Sequence, residues 1–457
     1  MDLESLYLRL PITCQNLAIR FEGWRVRRRR YGRGYAEAAA AVLSREKFSP
    51  EELARYRKER LAAHLRAAAQ TPFWQDRFAR YGVDPYTSDP FVAVSRLPLL
   101  TKEDVKAEIE ALRNPSSATA EQLPVHTSGT TGSGLVFVQT RTMEQVTWAT
   151  WWRYRGWHGI DRNDWCAYFG GRSIVPLARH NPPYWRWNHP GRQLLFSAYH
   201  LGPDTAKDYA RALCEAKTEW IHGYPSVLAL LAVFIIEQQL PRPKVRIITV
   251  GAENLLPFQK SIITKAFGAP VVQHYGQAEG VANVSQCPEG RLHVDEDYAG
   301  VEFVPLEGLQ GSYRIVGTNW HNPAFPLLRY DTGDIASIDH RDNCPCGRLG
   351  RVVRAIDGRQ EDYVVLPNGV RIGRLDHVFK DMLNIREAQV VQRQSGEIIV
   401  RVVRGDHYEA TDEQMLAREL RKRLGQDIAF SIQYTESIQR TGAGKLRLVI
   451  REQSAKE

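Results

Sequence analysis

Charged and apolar residues alternate with helical period through "SPEELARYRKERLAAHLRAAAQTPFWQDRFARYG", which predicts one helix from Ser49 to Tyr81, ended by Gly82. Ser49 supplies a cap, Pro50 fits the first turn, and Glu51 and Glu52 sit at the positive end of the helix dipole. Thr101 opens a second helix in "TKEDVKAEIEALRN". The β-branched and aromatic residues of "GLVFVQT" predict a strand, and "VRIITVGAE", "APVVQHYGQAEG" and "GSYRIVGTNW" predict others. "SVLALLAVFII", Ser226 to Ile236, is too short to cross a bilayer and predicts a buried helix. This strand, helix, strand rhythm predicts an α/β fold of mostly parallel sheets covered by helices. From Asp357 the texture changes to short charged strands with one helix, "TDEQMLARELRKRLG", predicting a separate small α+β unit. The expected division is a large domain over 1–357, with a helical segment over about 1–115, and a small domain over 358–457.

A chain of 457 residues that is 43% hydrophobic is long enough for two or three packed domains. Its net charge of +9 is uneven, because "FEGWRVRRRRYGRGY", Phe21 to Tyr35, sets six arginines against Glu22. That run suits a solvated helix face, nucleic-acid contact, or an anionic lipid surface with Trp24 and Tyr31 in the interface. The remainder is close to balance, and no nucleic-acid partner is expected. The first residues, "MDLESLYLRLPITCQNLAIRF", carry early acids and no clean apolar core, so a soluble cytoplasmic protein is expected. Cys14, Cys166 and Cys214 stand among apolar neighbours, as inert buried thiols do.

Between two apolar stretches lies "PVHTSGTTGSGLVF", Pro124 to Phe137. Glycines let the backbone approach a ligand, and successive amide N–H groups in such a turn make an anion site. The hydroxyls of Ser128, Thr130 and Thr131 add donors, so the loop reads as a polyphosphate cradle, with a plain Gly/Ser/Thr turn as the alternative. The lysine of the P-loop pattern is missing, which excludes that class.

The segment "TSGTTG", Thr127 to Gly132, resembles the phosphate loop of the adenylate-forming superfamily of acyl- and aryl-CoA synthetases. "HYGQAEG" (His274 to Gly280), "RYDTGD" (Arg329 to Asp334), "GRQED" (Gly358 to Asp362) and "RTGAGKLR" (Arg440 to Arg447) resemble that family's later motifs, in its order. The short chain and the "CPCGR" before the hinge are most similar to the phenylacetate-CoA ligase branch, including relatives linked to capsular polysaccharide synthesis. The first 120 residues match only loosely.

The resemblance implies an ATP site of Thr127, Ser128, Gly129, Thr130, Thr131, Gly132, Tyr275, Gly276, Asp334 and Arg359. Within it Asp334 accepts from the ribose hydroxyls and Tyr275 stacks on adenine. Glu279 holds Mg²⁺, Lys445 reaches the α-phosphate and carboxylate as charge develops, and Glu361 is the hinge about which a mobile small domain turns. Two positions depart from the family pattern: Ala278 replaces a hydroxyl residue, and the hinge, usually aspartate or lysine, is glutamate.

Cys287 and His293, followed by Cys344 and Cys346, complete a soft Cys₃His set that suits a closed, structural Zn²⁺ site. Free thiols beside an unrelated histidine are the alternative. Seven of the eleven tryptophans fall between Trp148 and Trp187, as an aromatic acid pocket or a tryptophan-rich core would place them. The expected function is ATP-dependent activation of a carboxylic acid, through an acyl-adenylate, with transfer to coenzyme A. The alternatives are transfer to an amine, sugar or carrier protein, and an inactive scaffold or peripheral membrane protein that keeps the fold.

Overall fold

The computed structural model describes residues 3–117, 122–127, 135–306, 311–338, 344–359, 363–367, 371–373, 375–379, 382, 384–426, 428–441 and 444–452. Its internal contacts divide the chain into two units, one of Met1–Gly23, Asn163–Gln273 and Gly358–Glu457, the other of Trp24–Arg162 and His274–Asp357.

In the first unit the strands Gln193–Ser197, Cys166–Gly170, Trp220–Gly223, Ile247–Val250 and the start of Val271–Gly276 pair side by side, all parallel. Trp185–Asn188 adds an antiparallel edge. All four residues of Ile247–Val250 are buried, the uniform apolar pattern of a strand covered on both faces. Helices Pro225–Glu237 and Pro257–Phe267 make the crossovers that parallel strands require. Ten of the 13 residues of Pro225–Glu237 are buried, so it is a core helix, as its unbroken apolar sequence predicts. Phe169 and Phe196 stack at 4.6 Å in this core.

The same unit holds a four-stranded sheet in the order Phe430–Tyr434, Ile398–Arg404, Ile385–Gln392, Val449–Arg451. Helix Ala410–Leu424 buries Leu416, Leu420 and Leu424, spaced at four so that they share one face.

In the second unit Ser49 accepts from the Glu52 amide and Glu52 returns a bond to the Ser49 amide, closing a capping box on helix Pro50–Ala68. The single helix expected to Tyr81 is two. Thr71 is extended, caps Trp74, and is followed by Pro72 at the start of helix Pro72–Tyr81. Proline lacks the amide that would continue the first helix and disfavours the helical conformation before it. Gly82 ends the second helix with φ +62°, as its position predicts.

The helix begun by Thr101 stops at Ala107, short of the sequence expectation. Ala111 accepts from the Phe73 amide and the Asn114 amide bonds Ala324, so tertiary backbone bonds override local helix propensity there. In this unit the named strands pair antiparallel, and parallel pairing among the described residues is a single bridge between Leu100 and Tyr330. Asn283–Gln286 pairs antiparallel with Leu292–Val294, and Ser312–Thr318 pairs antiparallel with both Gly300–Pro305 and Tyr330–Ile338. Arg153 is buried and bonded to Asp295 and Asp297, and Arg45 pairs with Asp297. Among the described residues no helix is long and apolar enough to cross a membrane. Cys166 is buried as expected, but Cys14 is exposed on helix Ile12–Arg30.

Candidate functional site

In the second unit, Gln122–His126 and Val136–Thr140 form an antiparallel hairpin with His126 opposite Val136. Thr127 closes it, its amide donating to the Leu135 carbonyl at 2.9 Å and its hydroxyl accepting from the Leu135 amide at 2.7 Å. The rest of the glycine-rich loop, Ser128, Gly129, Thr130, Thr131 and Gly132, lies outside the described residues. The first of these two strands was not legible in the sequence, since Pro124 is a poor strand residue.

Tyr275 and Asp334, 59 positions apart, meet. The Tyr275 hydroxyl donates to Asp334 Oδ2 at 2.8 Å, and Gln277 Nε2 donates to the same oxygen at 2.9 Å. A turn aims Asp334: Gly333 at φ +71° donates to Asp331, and the Asp334 amide donates to Thr332 Oγ1. At Gly276 an added Cβ would lie 2.9 Å from Asn283 Oδ1, so any side chain there would displace Asn283. Glu279 accepts from Tyr330 at 3.4 Å, and its carboxylate is of the hard-oxygen type that Mg²⁺ favours. Gln277 and Tyr330 were not singled out from the sequence. Gln277 stands at the variable position of its motif.

In the first unit Lys445 sits at the carboxyl ends of the parallel strands, where open α/β sheets bind ligands. Its Nζ is 5.8 Å from the centre of the Tyr224 ring, and Tyr224 follows strand Trp220–Gly223. Several contacts hold its loop. The Leu446 amide donates to Glu253 Oε1 at 3.0 Å, and the Lys445 amide to Thr441 Oγ1 at 3.1 Å. Gly444, at φ +73°, packs so closely on Gly171 that an added Cβ would approach it to 3.3 Å. Arg440 donates to Ser226 Oγ at 2.7 Å and pairs with Glu387.

Glu253 also accepts from the Ser226 amide at 3.1 Å, at the start of helix Pro225–Glu237. Burial pushes the Glu253 carboxyl up, against hydrogen bonds from Ser226 and the charge of Arg440. Burial likewise raises Glu387, against the Arg440 guanidinium. Near this loop Tyr168 stacks on His222 at 5.5 Å, and His222 Nδ1 lies 2.7 Å from Thr249 Oγ1. Sequence reasoning missed Arg440, Ser226 and Glu253. An acid three residues past the end of the buried strand Ile247–Val250 was the one available signal for Glu253. Arg359 ends strand Val352–Arg359, and Glu361 lies outside the described residues.

Cys287, His293, Cys344 and Cys346 converge in the second unit, with all four donor atoms within 4.8 Å of one another. Cys287 Sγ is 3.7 Å from Cys344 Sγ, and Cys346 Sγ is 3.4 Å from His293 Nε2. Tetrahedral Zn²⁺ with its usual bond lengths requires about 3.8 Å between two sulfurs and about 3.6 Å between sulfur and nitrogen. The donor set and its spacing therefore fit zinc. The expected tryptophans divide. Trp148 and Trp152 pack on Arg155, with Arg30 4.0 Å over Trp148, while Trp165 and Trp187 meet edge to face at 5.4 Å.

The chain has the fold of the adenylate-forming ligases. It is similar to the structure of 2-hydroxyisobutyryl-CoA ligase in the postadenylation state in complex with R3-HIB-AMP. That likeness has a TM-score of 0.64 at 20% identity, covering 89% of this chain and 91% of that one. In sequence the chain is homologous to Protein CapK of Staphylococcus aureus, 25% identical over 458 residues, covering 98% of this chain and 99% of that protein. It is also homologous to phenylacetate-coenzyme A ligase of Thermus thermophilus, 26% identical over 242 residues, covering 44% of this chain and 52% of that enzyme. Residues 364–452 match the family model described as the CapK C-terminal domain.

Proposed function

We propose that the protein uses ATP to convert a carboxylic acid into an acyl-adenylate and passes the acyl group to a thiol, coenzyme A. The observation that carries this reading is the seating of the Lys445 loop on Gly171, Ser226 and Glu253 at the carboxyl ends of parallel strands. A cation held there meets the negative charge that builds as carboxylate attacks phosphorus, and a fixed donor needs no reorganisation at that moment. Asp334, aimed by its turn, takes the ribose hydroxyls, exchanging its bonds to Tyr275 and Gln277 for ligand. Glu279 would hold Mg²⁺, which neutralises phosphate charge when bound. Arg359 and the loop from Thr127 to Gly132 complete the nucleotide contacts in this reading. The Cys₃His set would hold a structural Zn²⁺, with no open position for chemistry. The small domain over 358–457 then turns about Glu361 between the two half-reactions. The rings of Tyr168, Tyr199 and Tyr224 near the lysine loop support an aryl acid.

A second acceptor class, an amine, sugar or carrier-bound thiol, is favoured by one observation. The relative aligned over 98% of the chain is Protein CapK, whereas the alignment with a CoA ligase covers 44%. The test is AMP release in the presence of ATP and acid, with and without coenzyme A. Release that requires coenzyme A, with a thioester product, supports the first reading. Accumulation of acyl-AMP that coenzyme A does not discharge overturns it in favour of the second.

A further inference from the structure

The arginine run between Phe21 and Tyr35 separates into two groups in the folded chain. Arg29 donates to both oxygens of Glu144, Arg30 covers Trp148, and Tyr31 accepts from Trp152 Nε1 at 2.8 Å. These three are half-buried and engaged with groups of the protein itself, so Tyr31, unlike Trp24, is not among its exposed aromatic side chains.

The second group lies on the outer face of the single helix Ile12–Arg30. Leu17 is 63% exposed, Phe21 65% and Trp24 50%, and their spacing of four and three sets them in one stripe. Arg28 continues the stripe, its guanidinium 5.5 Å from the Trp24 ring centre. Arg20, Arg25 and Arg27 flank it and are also exposed. Glu22 is the one acid of this helix, and it lies about 100° around the axis from Phe21.

Three large apolar side chains at least half exposed along one helix face mark a contact surface. The four arginines around them specify a partner that is anionic above and apolar below. A nucleic acid satisfies the arginines but offers Leu17 nothing, and a protein groove would have to combine acids with an apolar floor. An anionic bilayer interface supplies both at once, with arginine stems lying along the acyl boundary and their heads on phosphates. We propose that helix Ile12–Arg30 is a membrane-surface anchor that seats Leu17, Phe21 and Trp24 among the headgroups of anionic lipid. This property is independent of the ligase reading.

The test is co-sedimentation of the full-length protein with phosphatidylcholine vesicles, and with vesicles containing about one third phosphatidylglycerol. Binding to the anionic vesicles alone is expected, and 0.5 M salt, as an order-of-magnitude screening condition, should release it. Replacing Arg25 or Arg28 with Gln should weaken partitioning by about fivefold each. F21S/W24S should weaken it by roughly tenfold or more, while the variant's melting temperature stays unchanged because both side chains are exposed. No vesicle binding, or binding that F21S/W24S leaves intact, overturns the proposal. So does a concentration-dependent dimer abolished by F21S/W24S, or tighter binding to a single-stranded oligonucleotide than to anionic vesicles.

Discussion

Arg440 ties the lysine loop to the strand ends, and Arg440→Met separates that role from general stability. Its guanidinium is bonded to Ser226 Oγ and paired with Glu387, with the two side chains 12% and 7% exposed. Removing one partner of a buried pair costs about 3–5 kcal/mol, chiefly because a charge is left behind. The charge-assisted bond to Ser226 contributes about 1.5–3 kcal/mol to seating the loop, equivalent to roughly a 10- to 100-fold change in its seated population. Acyl-AMP formation should therefore fall by about 10- to 100-fold, while thioester formation from supplied acyl-AMP stays near normal.

The pH dependence has a definite sign. Burial already raises Glu387, and Arg440 opposes that rise, so the variant's Glu387 titrates higher still in the folded state. A carboxyl raised on folding lends stability below its unfolded pKa and loses it as pH rises through the folded value. The variant's deficit thus opens above the ordinary carboxyl range and grows as pH rises, measured by denaturant melts in acid and in mild base. Adding Glu387→Gln should recover most of the stability and little of the adenylation rate. The reasoning fails if both half-reactions fall equally, or if the double variant restores adenylation in full.

Lys445→Ala should slow adenylate formation by roughly 10²- to 10³-fold and spare thiol transfer from presynthesised acyl-AMP, as separate half-reaction assays would show. Glu361→Pro, by fixing φ at the hinge, should leave one half-reaction near its normal rate and slow the other by orders of magnitude. Equal impairment in both would move the hinge elsewhere. Metal analysis of protein purified without chelator should find about one zinc per chain, and none would remove the site. Cys344→Ser should lower the melting temperature by about 5–10 °C without changing nucleotide affinity.

Local rules made part of this molecule legible. The Ser49 capping box, the Gly82 stop, the buried strand Ile247–Val250 and the core helix Pro225–Glu237 each follow from residues within a few positions. The break at Thr71 was masked by apolar spacing that continues across Pro72, and the early end at Ala107 depends on partners at Phe73 and Ala324. The Cys₃His set was visible because cysteine and histidine are scarce and two of its ligands are two residues apart. The lysine anchor was not. Glu253 and Leu446 stand 193 positions apart, and only strand order brings them together. Likewise the basic run read as one charged stretch, although contacts with Glu144 and Trp148 half-bury Arg29 and Arg30 while Arg25 and Arg28 stay exposed.

Acid-dependent exchange of labelled pyrophosphate into ATP, measured with Mg²⁺ over a panel of aryl, hydroxy and short-chain acids, is the most direct test of the proposed chemistry. At least one acid should support exchange, and both Asp334→Ala and Lys445→Ala should lower it by roughly 10²-fold or more in protein that remains folded. Exchange that is absent for every acid, or that persists undiminished in both variants, would contradict acyl-adenylate formation by these residues.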